Sequence, residues 1–194
     1  ERTWNYYASG AAQLSLKDVF FSLDAKYSDA RERWNTEIDI RPRRIEKGYG
    51  GSALLKTSWK TSVALAYRTA EYDYESVVYG DDFDVQERLN RRESYANLSL
   101  YYQATTQRRF FLDFEYGLFD FRSVDQALIK DSRSGAAYAG LELSPFGRRV
   151  KGRVRIGYKK FDIRNPEGID YDGLVGDAQL SVRVARPLVV RGSF

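Results

Sequence analysis

The sequence predicts an all-β fold: an antiparallel up-and-down transmembrane β-barrel, of which residues 1–194 form one domain of about ten strands, an internal portion of a larger barrel. Three observations carry this. Apolar and polar residues alternate with period two from end to end. One of the two faces so defined excludes charge, in a chain that is 30% charged. The connections alternate between tight turns and long polar loops.

The first strand is expected near Tyr6 to Leu14, with Tyr6, Ala8, Gly10, Ala12 and Leu14 on one face. The second sets Phe21, Leu23, Ala25 and Tyr27 against Ser22, Asp24, Lys26 and Ser28. The third sets Gly51, Ala53, Leu55 and Thr57 against Ser52 and Lys56, and the fourth Val63, Leu65, Tyr67 and Thr69 against Ala64, Ala66 and Arg68. The fifth places Ala96, Leu98, Leu100 and Tyr102 opposite Tyr95, Asn97, Ser99, Tyr101 and Gln103. The sixth places Leu112, Phe114, Tyr116 and Leu118 opposite Asp113, Glu115 and Gly117. In the seventh, Ala137, Ala139, Leu141 and Leu143 oppose Tyr138, Gly140 and Glu142.

The eighth, VKGRVRIGYKKFD, is the most divided. Val150, Gly152, Val154, Ile156 and Tyr158 carry no charge, whereas Lys151, Arg153, Arg155 and Lys159 are all basic. The ninth sets Leu174, Gly176, Ala178, Leu180 and Val182 against Val175, Asp177, Gln179, Ser181 and Arg183, and a tenth begins at Leu188. Tight turns fall near Lys17-Asp18, Trp59-Lys60, Thr106-Gln107, Gly147-Arg148 and Arg186-Pro187. Long loops are expected from Arg31 to Lys47, Glu75 to Arg92, Ser123 to Arg133 and Arg164 to Tyr171. A water-soluble sandwich has no reason to sort loop lengths by end, whereas an outer-membrane barrel has short periplasmic turns and long outside loops. No repeated motif supports a propeller or solenoid.

Composition removes several functions. There is no Cys and no His, so neither a thiolate metal site nor a Ser-His or Cys-His dyad can be assembled. No catalytic residue, metal ligand or cofactor is expected. There is no Met, as in a processed chain or a fragment. No run of eighteen apolar residues exists for a transmembrane helix, but a transmembrane strand needs only about ten of alternating character. Basic and acidic residues are mixed, 31 against 27, and the opposite face is apolar, which excludes a nucleic-acid surface.

In a bilayer a spanning sheet must pair every backbone group, so it closes with an apolar outer face and a lumen that can be polar. Trp59, Phe110, Tyr27, Tyr67, Tyr102, Tyr116 and Tyr158 lie toward the ends of the apolar runs, where interfacial aromatics belong. The lumen face then carries a basic wall, Lys151, Arg153, Arg155, Lys159, Arg183 and Arg191, beside an acidic one, Asp113, Glu115 and Glu142. Such charges either select solutes or pair across strands and stabilise the wall. Lumen-side Tyr95, Tyr101 and Tyr138 could stack on sugar rings or simply fill the strands. The loop YGDDFD lacks EF-hand spacing and reads as a solvated outside loop. KGYGGS lacks the Lys-Ser/Thr of a phosphate loop and reads as the start of a strand.

The hairpins YANLSLYYQATTQRRFFLDFEYGLFDF, SRSGAAYAGLELSPFGRRVKGRVRIGYKKFD and DGLVGDAQLSVRVARPLVVRGSF resemble the bacterial "putative beta-barrel porin 2" family from about Tyr49 onward. The resemblance implies a bacterial outer-membrane location and an association with exopolysaccharide synthesis and export. Expected partners are therefore outer-membrane lipid and polysaccharide or its export machinery. The function expected is a porin-like channel for hydrophilic, anionic or polysaccharide solutes. The alternative is a closed or plugged barrel that anchors or surrounds partner proteins.

Overall fold

A computed structural model of the chain describes residues 4–31, 42–79, 83–143, 150–165, 170–183 and 189–193. Its strands are β1 (Tyr6–Ser15), β2 (Val19–Arg31), β3 (Arg43–Lys56), β4 (Thr61–Tyr74), β5 (Val78–Tyr79), β6 (Phe83–Asp84), β7 (Arg91–Thr105), β8 (Arg108–Phe121), β9 (Ser132–Leu143), β10 (Val150–Ile163), β11 (Tyr171–Arg183) and β12 (Val189–Ser193). Two short helices, α1 (Val85–Leu89) and α2 (Val124–Lys130), lie in the loops before β7 and β9. Ten strands make one antiparallel up-and-down sheet with β1 and β12 at its edges, and β5 with β6 forms a separate small pair. Each sheet neighbour is thus the next long strand in the chain.

The register confirms the two faces. Leu98 pairs with Leu65 and Phe114, Ala139 with Leu112 and Ile156, and Val154 with Leu141 and Ala178. The apolar residues therefore share one surface from β1 to β11. Large side chains on it are splayed and open, such as Leu65 at 57% and Ile156 at 64% exposure. On the other surface Phe111, Ser99, Asp113 and Tyr138 are buried. Crowding on one side and splaying on the other are the signature of a curved sheet whose polar face is concave. The only buried hydrophobic residues among those described are Val85, Phe111 and Tyr138. An aqueous fold of this size hides most of its surface; here the apolar side chains point outward, so their solvent is lipid. No described helix is long and apolar enough to cross a membrane; the strands cross instead.

The tight turns have local causes. Leu16 N donates to Val19 O at 2.8 Å to close the first. At the second, Thr57 N donates to Thr61 O at 3.1 Å, and Ser58 Oγ accepts from the backbone of Lys60 and Thr61. The turns expected at Gly147-Arg148 and Arg186-Pro187 lie outside the described residues.

The loop end differs from expectation. Arg43 to Lys47 is strand rather than loop, β7 starts at Arg91, and β9 starts at Ser132. KGYGGS lies within β3, not at its start. The membrane needs about ten residues per strand, and most of these strands have twelve to fifteen, so they continue beyond the apolar band. Side chains anchor this end. Asp131 accepts from Phe121 N at 2.7 Å, and Asn90 Oδ1 accepts from Tyr74 N at 2.6 Å. In the YGDDFD loop, Asp84 caps α1 by accepting from Gln86 N at 2.9 Å, while 81 and 82 lie outside the described residues. Lys130 donates to Arg88 O at 3.3 Å, and burial, with Arg88 and Arg91 nearby, lowers its pKa from the usual lysine value.

The tyrosines at this end measure the strand tilt. Through the register, Tyr158 on β10 connects to Phe21, six residues before Tyr27, over the six strand-to-strand steps to β2. If both tyrosines mark one membrane surface, the register climbs one residue per strand. With about 3.3 Å per residue and 4.8 Å between strands, the tilt is roughly 35°, as barrels require.

Arginine in place of Ile156, in the middle of the band, is expected to lower stability by roughly 2–3 kcal/mol. The urea midpoint of refolding in detergent or lipid measures this, and an unchanged midpoint would mean that this face does not meet lipid.

Candidate functional site

The inner wall between β7 and β11 is built in layers, beginning with glycine. Gly117 lies directly opposite Tyr95, Gly140 opposite Phe111, and Gly157 opposite Tyr138. A Cβ on Gly140 would stand 2.2 Å from Phe111 Cζ, and one on Gly157 would stand 2.2 Å from Ala137 O and 2.6 Å from Tyr138 Cδ1. Lacking side chains, these positions let the facing rings lie down across the strand.

Arginines form the next layer. The Arg153 guanidinium lies 4.3 Å from the Phe111 ring centre, and that of Arg155 lies 4.2 Å from the centre of Tyr138. Carboxylates then hold them. Arg153 Nη2 donates to Asp113 Oδ2 at 2.5 Å, and its Nη1 lies 3.5 Å from Glu142 Oε1. Arg155 Nη1 donates to Glu115 Oε1 at 2.7 Å, and Nε donates to Asp177. Arg109 Nε donates to Glu142 Oε2 at 2.7 Å, with its own guanidinium 4.6 Å from the Tyr101 ring centre.

Arg153 and Arg155 are on β10, whereas Asp113 and Glu115 are on β8. The guanidiniums reach over β9, whose inner positions Ala136 and Gly140 are small. The expected basic and acidic walls therefore interdigitate as ion pairs. Asp113 is the most buried of the acids, at 2% exposure, and one of its oxygens has no hydrogen-bond partner among the described residues. A recess of about 360 Å³ opens over this cluster, lined also by Asn97, Ser99 and Gln179.

Lys151 and Lys159 share this face and make no ion pair with a described residue. Arg183 pairs in register with Val189, and Arg191 with Ser181, which puts both positions on the inner face. Tyr138 is buried beneath Arg155 and offers no open ring face. Tyr101 packs on Phe111, with centroids 6.3 Å apart. Tyr95 is the most open, meeting Phe119 edge-on at 5.6 Å and facing a second recess of about 890 Å³ floored by Gly48, Gly50 and Ala66. Arg109 is absent from the predicted walls because it follows a tight turn. Its odd number, in phase with Asp113 and Glu115, was the available signal. No group of three or more metal-ligating side chains occurs among the described residues.

The profile of the family described as "Putative beta-barrel porin 2" matches residues 27–193. A solved structure, "Outer-membrane expressed OmpT of Vibrio cholerae", superposes with a TM-score of 0.62 at 12% identity. The match covers 98% of this chain and 56% of that one, so the chain spans just over half of its length. No curated protein sequence matches.

Proposed function

The chain belongs to the "Putative beta-barrel porin 2" family and is a β-barrel protein of the bacterial outer membrane, and from that premise we propose that its inner face lines a water-filled pore for hydrophilic solutes. One observation carries the reading: at the height of the apolar band, the inner face sets ionised side chains such as Asp24, Arg68, Asp113, Arg155 and Asp177 among small and polar ones such as Gly50, Ser52 and Asn97. Lipid contact outside and ions inside suit a hydrated lumen.

Because a sheet in lipid must close and β1 and β12 are separate edges, we read the ten strands as part of a larger closed barrel. Anionic solutes, acidic polysaccharide among them, are the proposed cargo. Supporting this, Arg109, Arg153 and Arg155 face the four carboxylates of Asp113, Glu115, Glu142 and Asp177, and with Lys151 and Lys159 five cations meet four acids on this part of the inner face. A setting in polysaccharide export rests on the family resemblance alone.

The test is single-channel conductance of the complete protein in a planar bilayer, with the reversal potential read in a salt gradient. Steady conductance with anion preference is expected. A folded, heat-modifiable barrel that passes no current would replace the pore with a plugged, partner-holding barrel.

A further inference from the structure

The outer face is uncharged only within the band. Just beyond the loop-end tyrosines it becomes densely ionic, on the same outward phase of the strands. Asp29 follows Tyr27, Lys47 precedes Tyr49, Glu71 and Asp73 follow Tyr67, and Lys160 and Asp162 follow Tyr158. The register joins them across the sheet: Lys47 pairs with Glu71, Glu71 with Arg92, Arg92 with Asp120, and Arg133 with Asp162.

These ions are ordered by depth. Arg43 donates to Asp29, Arg92 to Glu71, and Arg122 to Asp73 at 2.6 Å. In each pair the carboxylate lies against the sheet and the cation outside it. The side chains of Asp29, Glu71, Asp73 and Asp162 are 10–26% exposed, whereas those of Arg43, Arg92, Arg122 and Arg133 are 46–62% exposed. On β9 and β10 the balance is tilted further. Asp162 is shared by Lys160 at 2.8 Å and Arg133 at 3.4 Å, so two open cations share one acid. Lys160 has two register partners: Gly135 on β9, around which the space is open, and Asp172 on β11, whose carboxylate accepts from the Tyr158 hydroxyl.

We propose that this collar docks the phosphate-bearing headgroups of the lipid leaflet at the loop end, with Arg92, Arg133 and Lys160 as principal contacts. The collar continues the apolar band without a break, so a lipid whose chains lie along the band carries its headgroup to this height. Carboxylates set inward hold the guanidiniums in place while their outer donors stay available. Guanidinium forks match phosphate oxygens, and an ammonium adds a point charge. Such contacts would fix the barrel's depth and attach a shell of anionic lipid around it.

The inference rests on the outer-membrane barrel reading, and its test is separable from that of the pore. The complete folded protein in non-ionic detergent is incubated with diphosphoryl lipid A or with its dephosphorylated form, and retained molecules are counted by native mass spectrometry. Retention of the phosphorylated form at least ten-fold above the other is expected. The R92Q/R133Q/K160Q variant should bring the two to parity, whereas K151Q/K159Q on the inner face should keep the preference. Equal retention of both lipids by the unmodified protein overturns the proposal, as does an equal loss in the inner-face variant. If the triple variant does not fold, the comparison in the unmodified protein and the single K160Q variant decide. A conducting barrel without phosphate preference would overturn the collar alone, and a non-conducting one with it would overturn the pore alone.

Discussion

Alanine at Gly157 is expected to lower the stability of the folded barrel by about 3 kcal/mol, the upper end for one added methyl in a packed site. The new Cβ would lie 2.2 Å from Ala137 O and 2.9 Å from Tyr138 Cα, both backbone atoms of β9. Neither can move by a rotamer change, so β9 and β10 would have to separate and weaken their ladder. Gly117→Ala provides the contrast. Its nearest atom is the Ser134 hydroxyl at 2.6 Å, which can rotate away, and the Tyr95 ring stands at an ordinary 3.4 Å. A cost of about 1 kcal/mol or less is expected there. Urea titration of both variants by intrinsic fluorescence makes the comparison. Equal midpoints would show that Tyr138 is not seated on Gly157.

Replacing Arg153 and Arg155 together with glutamine is expected to move the pore toward cation selectivity and to destabilise it. The change strips their cationic partners from Asp113, Glu115 and Asp177, while Arg109 still holds Glu142. Asp113 suffers most because its side chain is only 3% exposed. Stranding a carboxylate buried this far costs roughly 3–5 kcal/mol. Adding Asp113→Asn to Arg153→Gln should recover part of the loss, through a coupling of about 1–2 kcal/mol. The reversal potential should shift toward that of a cation-preferring pore. An unchanged potential with lowered stability would mean that the arginines brace the wall and do not face the solute path.

The course of the strands was legible because lipid imposes a one-sided rule. Leu65, Leu98, Phe114 and Ile156 had to avoid charge, while Arg68, Asn97, Glu115 and Arg155 did not, so period two survived in the sequence. Above the band that rule lapses. In Arg43-Arg44-Ile45-Glu46-Lys47 both faces carry ions, the alternation disappears, and strand looks like loop. The ionic collar went unread for the same reason. The inner wall was legible as a face but not as a set of partners. Arg153 and Asp113 are separated by a whole strand, and the contact depends on Gly140 leaving room and on Phe111 lying flat beneath the guanidinium. A linear pattern shows which side chains share a surface. It does not show how far a long one leans.

The order of the sheet carries a consequence for assembly. Because every long strand is hydrogen-bonded only to the long strands before and after it, no strand pairing within these ten waits for a distant part of the chain. Each closure spans one turn or loop, and its entropic cost grows only slowly with length. Hairpins can therefore form separately and join edge to edge, much as repeats propagate along a solenoid. The vulnerable species is the growing margin, whose unpaired amides and carbonyls have no water to meet once in the membrane. A defect in one turn should delay its own hairpin and leave the others competent to wait.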